Sequence, residues 1–442
     1  MSARTGQSSF DALWMPFTAN RRFKARPRML VSADGMYYQT PEGRPVLDGT
    51  AGLWCVNAGH RHRRVIEAVQ RQVALLDYAP AFQMGHPVEF EAATKLAAIL
   101  PADLDRIFFT TSGSDAVDTA LKIAVAYHHA RGETTRTRLI GRERGYHGVN
   151  FGGTSVGGIA SNRRIFSSLQ PAGIDHLSFT YDLGKHAFSR GQPEWGAHLA
   201  NDLERIVALH DPSTIAAVIV EPLAASGGVL ISPKGYLERL REISAKYGIL
   251  LIFDEVITGF GRLGAAFAAE KFGITPDMIT MAKGLTNGTI PMGAVAVRRH
   301  IHDAVLGAAP EGTIEFFHGY TYSGHPVAAA AASAAIDVYK DEGLFERAAE
   351  LAPYFADAAH SLRNAKHVMD VRNLGLVAGI ELKPRQDGVG IRGYETLVRC
   401  FEAGVLVRAM ADTVGLSPPL IAGRKHIDDM FGMLREVLES IE

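Results

Sequence analysis

The chain has 442 residues, of which 47% are hydrophobic and 21% charged, the balance of a globular protein of about two to three domains. Its 46 Lys+Arg nearly cancel its 47 Asp+Glu, for a net charge of -1. No basic excess exists to neutralise nucleic-acid phosphates or to draw the chain to an anionic membrane. The two cysteines, Cys55 and Cys400, cannot build a disulfide framework or a metal-ligand spacing. The opening MSARTGQSSFDALW lacks a signal-peptide apolar stretch, and the alanine-rich run Pro326 to Ile336 is too short to span a bilayer. The expected compartment is the cytoplasm.

In chain order, apolar runs of strand length alternate with helical patterns. RIFFT at Arg106–Thr110 reads as a strand and is followed by a helix over Asp115–Arg131. Strands are expected at RLI (Arg138–Ile140), HLSF (His176–Phe179) and IAAVIV (Ile215–Val220). A helix from about Lys234 to Tyr247 precedes strands ILLIFD (Ile249–Asp254), MITM (Met278–Met281) and GAVAV (Gly293–Val297). Such near-continuous apolar strands are buried on both faces, and their alternation with helices predicts an α/β fold around a mainly parallel sheet. After Gly319–Pro326 the pattern changes to helices at about Val327–Tyr339 and Leu344–Arg363, short strands HVMDVR and VAGIEL, and a closing helix from Lys425. This predicts a large domain over 60–325 and a smaller α+β domain over 326–442. Residues 1–59, with turn signals at Ala33-Asp34-Gly35 and Pro41-Glu42-Gly43, are expected to pack with the latter.

Three segments carry chemistry. Asp254 ends an apolar strand, where ligands of open α/β sheets bind, and a carboxylate there costs several kcal/mol unless it meets a cation. Lys283 follows another apolar strand and precedes a glycine-rich turn. A lone lysine in that setting is ordinarily a surface residue, but one helix and one strand separate it from Asp254, so both side chains reach the same sheet edge. Ser112-Gly113-Ser114 opens a long helix after a strand, an N-terminus able to hold an anion with N–H groups and hydroxyls. An amine, a carboxylate for a ring nitrogen, a phosphate cup and apolar walls are together what a pyridoxal-phosphate site requires.

The segments SGSDAVDTALK, GYHG, Glu221-Pro222, FDEVITGFGRLG and MAKG stand in one order and spacing that resembles the class III, or ω-amino-acid, branch of the fold-type-I aminotransferases. The resemblance runs from WMPFT near residue 14 to the C-terminal helix and is strongest to the ω-amino-acid–pyruvate members. It implies that Lys283 carries pyridoxal 5'-phosphate as a Schiff base and moves the proton, while Asp254 pairs with the pyridine nitrogen. Tyr146 and Val256 then cover the two ring faces, Gly113 and Ser114 bind the phosphate, and Glu221 supports them. Thr321 resembles a threonine donated to the partner subunit's phosphate, which implies an obligate homodimer; pairing of two dimers into a tetramer stays open. Arg408 matches the arginine that binds a keto-acid carboxylate, and Trp54 an aromatic wall, with Phe17 and Phe82 as further candidates for the apolar pocket. The implied reaction passes an amino group from an ω-amino acid or primary amine to pyruvate by a ping-pong course. Two positions depart from the family pattern: Gly415, where a polar residue is frequent, and Ala225, where glycine is frequent. Both weigh against β-alanine itself as donor.

Other classes fit less well. Gly259 to Gly264 spell a formal GxGxxG after a strand, but the first glycine comes too late for a nicotinamide fingerprint. No GxxxxGK[ST] is present, and His60, His62, His128 and His129 lack metal-site spacing, so no metal is expected. A catalytically dead homologue would be expected to have lost Lys283 or Asp254. The nearest rival is another reaction on the same cofactor: an aminomutase, a decarboxylase or a racemase.

Overall fold

The computed structural model describes residues 10–442. The first nine residues, which include the start of the stretch read for a signal peptide and of the 1–59 segment, lie outside the described residues.

Seven strands form the central sheet, in the order Arg106–Thr110, Gly293–Val297, Met278–Met281, Leu250–Asp254, Ile215–Val220, Arg138–Arg142 and Ile174–Leu177. Every residue of the 215–220, 250–254, 278–281 and 293–297 strands is buried. These apolar runs therefore lack a solvent-facing period because helices cover both faces. Pairing is parallel everywhere except at Gly293–Val297, which runs antiparallel to both neighbours. The reason lies in its connection: between Met281 and Gly293 the chain makes a 3-10 turn, not the crossover helix that a parallel return needs.

Local chemistry sets the element ends. The 113–130 helix starts where the extended Ser112 accepts the Asp115 N–H at 3.2 Å, an N-cap. The 236–247 helix begins two residues later than the pattern suggests, since Gly235 sits at φ 77 outside helical space, and it stops at the left-handed Gly248. The outermost strand is Ile174–Leu177, so HLSF enters it only in part. It pairs with 139–142 and ends opposite Arg142. The helix expected to run to Arg363 ends at His360 and tightens into a 3-10 turn over Ser361–Asn364.

A second, antiparallel sheet orders Val368–Leu374, Val377–Leu382, Thr413–Leu416 and Arg408–Met410. A third joins strands 32–34, 37–39 and 45–48 to Val405–Leu406, which pairs in parallel with 47–48. The helix Pro326–Asp341 packs against helices 63–75 and 87–97 and the 283–286 turn. No helix of the described residues is long and apolar enough to cross a membrane.

Candidate active site

The C-terminal ends of the parallel strands meet at one edge, and there the loops line an open cavity. Its lining brings together Gly113, Ser114, Tyr146, Glu221, Asp254, Val256 and Lys283, with His147, Gly148, Leu223, Ile257 and Ala282.

Asp254 is the last residue of its strand and is 5% exposed. Its Oδ1 accepts the Val256 N–H at 3.1 Å, and its Oδ2 lies 2.8 Å from His147 Nδ1. An ionised carboxylate only accepts, so His147 Nδ1 carries the proton of that bond. His147 Nε2 is buried without a hydrogen-bond partner among the described residues. A Cβ added at Gly145 would stand 3.2 Å from that nitrogen and 3.7 Å from Glu221 Oε1, so the two groups share one small space. Glu221 follows the 215–220 strand, and its Oε1 accepts the Tyr146 N–H at 2.9 Å. Burial pushes its carboxyl up to about 7; His147 opposes the shift and the Asp254 charge adds to it. Reading the sequence alone passes over His147, although it stands inside GYHG. Its pairing with Asp254, 107 residues away, exists only in the folded chain.

Lys283 comes two residues after the 278–281 strand and opens the 283–286 turn at φ 48. For a side-chain-bearing residue that conformation costs about 1–2 kcal/mol, and such strain collects at functional sites. Burial drives the ammonium below the ordinary lysine range, with Asp254 pulling the other way. The shift favours the neutral amine, the form that attacks a carbonyl and accepts a proton.

Opposite, the N–H groups of Gly113 and Ser114 begin the 113–130 helix and have no partner within it. Ser114 Oγ accepts the Val149 N–H at 3.1 Å. Asp115, the one acid of this turn, is engaged by Thr111, Ser112 and Asn150. A Cβ on Gly113 would lie 3.1 Å from both Val256 methyls, and one on Gly148, at φ 93, would lie 2.5 Å from Ser114 Oγ. Both glycines thus keep the backbone close and the cup open. An anion cup at a helix start, a buried carboxylate at a strand end, a depressed amine and two half-buried walls, Tyr146 and Val256, fit pyridoxal phosphate group by group.

The remaining candidates stand apart. Arg408 opens the Arg408–Met410 strand opposite Gly415 and is half-buried. No carboxylate pairs with it among the described residues, and its Nε is buried without a hydrogen bond. Burial lowers its pKa and the Tyr146 hydroxyl opposes this, so its charge is felt at the ring wall. Trp54, at φ 60 and 5% exposed, lies in an apolar cluster with Leu223 and Ile257, behind the lining they form. Phe17 and Phe82 are exposed and do not line the cavity. Neither does Thr321, whose carbonyl accepts the Tyr78 hydroxyl at 3.1 Å. The glycines 259–264 open no helix, the next one being Ala268–Phe272. Among the described residues no three His, Cys, Asp or Glu side chains gather into a metal site.

Comparison with known proteins agrees with this chemistry. The family model "Aminotransferase class-III" matches residues 18–438. The chain is 62% identical to an omega-aminotransferase of Caulobacter vibrioides over 99% of both chains. It is 48% identical to a beta-alanine–pyruvate aminotransferase of Pseudomonas aeruginosa, over 99% of this chain and 97% of the relative. Among solved structures, the omega transaminase of Pseudomonas jessenii in complex with PMP superposes with a TM-score of 0.92 at 31% identity, covering 98% of this chain and 97% of the other. The chain belongs to the class III aminotransferases, fold-type-I enzymes that use pyridoxal phosphate.

Proposed function

We propose that this aminotransferase passes an amino group from an ω-amino acid or primary amine to pyruvate, giving alanine in two separate half-reactions. Relatives named for ω-amino acids and pyruvate support the choice. The observation that carries it is Arg408, a half-buried guanidinium without a carboxylate of its own, electrostatically coupled to Tyr146 and Lys283. A planar guanidinium takes a keto-acid carboxylate in two parallel hydrogen bonds.

When bound, pyridoxal phosphate supplies the ring that accepts the electrons of the carbon–hydrogen bond beside nitrogen. In this reading Lys283 Nζ holds the cofactor at rest. With the cofactor bound, Lys283 Nζ would take the proton from the donor carbon and return one to the acceptor carbon, work for which its depressed pKa suits it. Asp254 would accept the hydrogen bond of the protonated ring nitrogen, and His147 Nδ1–H fixes the orientation of that carboxylate. Gly113 and Ser114 hold the phosphate, Tyr146 and Val256 flank the ring, and Glu221 anchors the Tyr146 backbone.

The working unit in this reading is a cytoplasmic homodimer. Trp14, Phe17, Phe82 and Phe317 are exposed by 89, 69, 59 and 85%, apolar surface that a second copy of the chain would cover. Thr321, outside its own cavity, is then the group offered to the partner's phosphate.

Arg408→Ala tests the acceptor. Followed by single-turnover absorbance, the pyruvate half-reaction should slow by roughly a hundredfold, as expected for a lost charge-assisted pair. A simple aromatic amine, which has no carboxylate, should react almost as before. Equal damage to both halves would make Arg408 structural and move the carboxylate site elsewhere.

A further inference from the structure

We infer that Asn287 is a positioning residue for Lys283, its buried carboxamide clamping the turn that presents the amine. The inference rests on the reading of Lys283 as the cofactor-holding amine and extends it to residues that never touch the cavity.

The turn after the 278–281 strand is left-handed near both ends, at Lys283 (φ 48) and at Asn287 and Gly288 (φ 52 and 67). The turn closes on itself through Gly288 N–H to the Lys283 carbonyl at 3.2 Å, Asn287 N–H to the Gly284 carbonyl at 3.1 Å, Leu285 N–H to the Ala282 carbonyl at 2.9 Å and the Thr286 hydroxyl to the Ile290 carbonyl at 2.6 Å. An unfavourable backbone conformation persists only where the surroundings over-determine it, and here three attachments do so. Asn287, 3% exposed, spends its side chain on a distant segment instead of its own turn. Its Oδ1 accepts the Ala58 N–H at 2.8 Å, and its Nδ2 donates to the Gly59 carbonyl at 2.9 Å. From the other side the Tyr339 hydroxyl donates to the Gly284 carbonyl at 2.6 Å. Gly284 itself is pressed so close that a Cβ would lie 2.9 Å from both Asn57 Nδ2 and Phe260 Cβ.

Asn57 is fixed in turn, donating to the Phe260 carbonyl at 2.8 Å and accepting from Arg262 Nη2 at 2.6 Å. The turn is thus held between the 57–59 loop, the glycine-rich 259–264 loop and the 326–341 helix. Only an amide offers one acceptor and one donor in this geometry. Aspartate loses the donor and buries a charge; glycine keeps the left-handed backbone and loses the clamp.

The test compares holoenzyme carrying Asn287→Ala, Asn287→Gly and Asn287→Asp. If the clamp aims Lys283, all three should slow the amine half-reaction by up to about a hundredfold, the scale of a 1 Å misplacement. The loss should be equal for donors with and without a carboxylate. The donor concentration for half-saturation should hold, while the pH midpoint of the lysine-bound cofactor's visible band should move. A lower melting temperature with unchanged rate and unchanged band would reduce Asn287 to a structural residue and overturn the inference. Wild-type rates in Asn287→Gly, with damage in Asn287→Ala, would credit the backbone conformation and overturn the clamp. Should the Asn287 variants not fold, Tyr339→Phe removes one bond to the same turn, and a several-fold slower half-reaction with a shifted band is expected; no change in either contradicts the account. Continued turnover by Lys283→Ala would instead remove the reading on which the inference stands.

Discussion

The floor and the rim of the cavity are built on different principles. The floor, Asp254, Glu221, Lys283 and the start of the 113–130 helix, stands on the ends of parallel strands. Asp254 and Glu221 are buried, and bonds of 2.8–3.1 Å tie Asp254 to His147, Glu221 to Tyr146 and Ser114 to Val149. The rim draws on outlying segments: Arg408 on an edge strand, Trp54 behind the wall, and Thr321, Phe17 and Phe82 outside the cavity altogether. A floor built on strand ends suits a cofactor whose chemistry is the same for every substrate, and a rim drawn from outlying segments suits the choice among substrates.

The largest effect that sharpens this contrast belongs to the floor. Asp254→Asn should slow amine and pyruvate half-reactions alike, by about 2–3 kcal/mol or roughly a hundredfold. A loss confined to one half would mean that Asp254 behaves as a rim residue and would erase the distinction.

Thr321 probes the rim across subunits. Thr321→Ala should release cofactor on dialysis roughly tenfold faster, the order expected for one hydrogen bond to a charged oxygen. Scattering and assays on a diluted sample should find no active monomer. Unchanged cofactor retention, or full activity at monomer mass, would put Thr321 outside the phosphate cup.

The smallest effect concerns a buried acid beside the floor. Glu255 accepts the N–H groups of Ala268 and Ala269, yet burial pushes its carboxyl up to about 7. A raised carboxyl binds its proton in the folded chain before the unfolded chain does, so its contribution to stability falls as pH rises from about 4.5 towards 7. Glu255→Gln cannot titrate. Across that window its melting temperature should gain on the parent's by on the order of 1–3 °C. A constant gap would show that Glu255 titrates normally.

The floor was largely legible in the sequence, and for a physical reason. A buried parallel strand writes itself as an unbroken apolar run, and the first polar residue after it must lie at the sheet edge, as Asp254 and Glu221 do. The helix start at Gly113 is announced by its capping serine. What escaped was tertiary. The His147–Asp254 bond joins residues with no local relation, and the reversed 293–297 strand carries the same apolar signature as its parallel neighbours. The rim is harder still, since the residues offered for it differ in burial: Trp54 turns inward while Phe17 and Phe82 face out. No period or motif distinguishes a wall of the cavity from a residue behind it or one awaiting a second chain.

Borohydride reduction asks whether Lys283 is the amine that holds the cofactor. The purified yellow protein should lose its visible band on reduction, and peptide mass mapping should find the fixed cofactor on Lys283. An adduct on any other lysine would contradict the account.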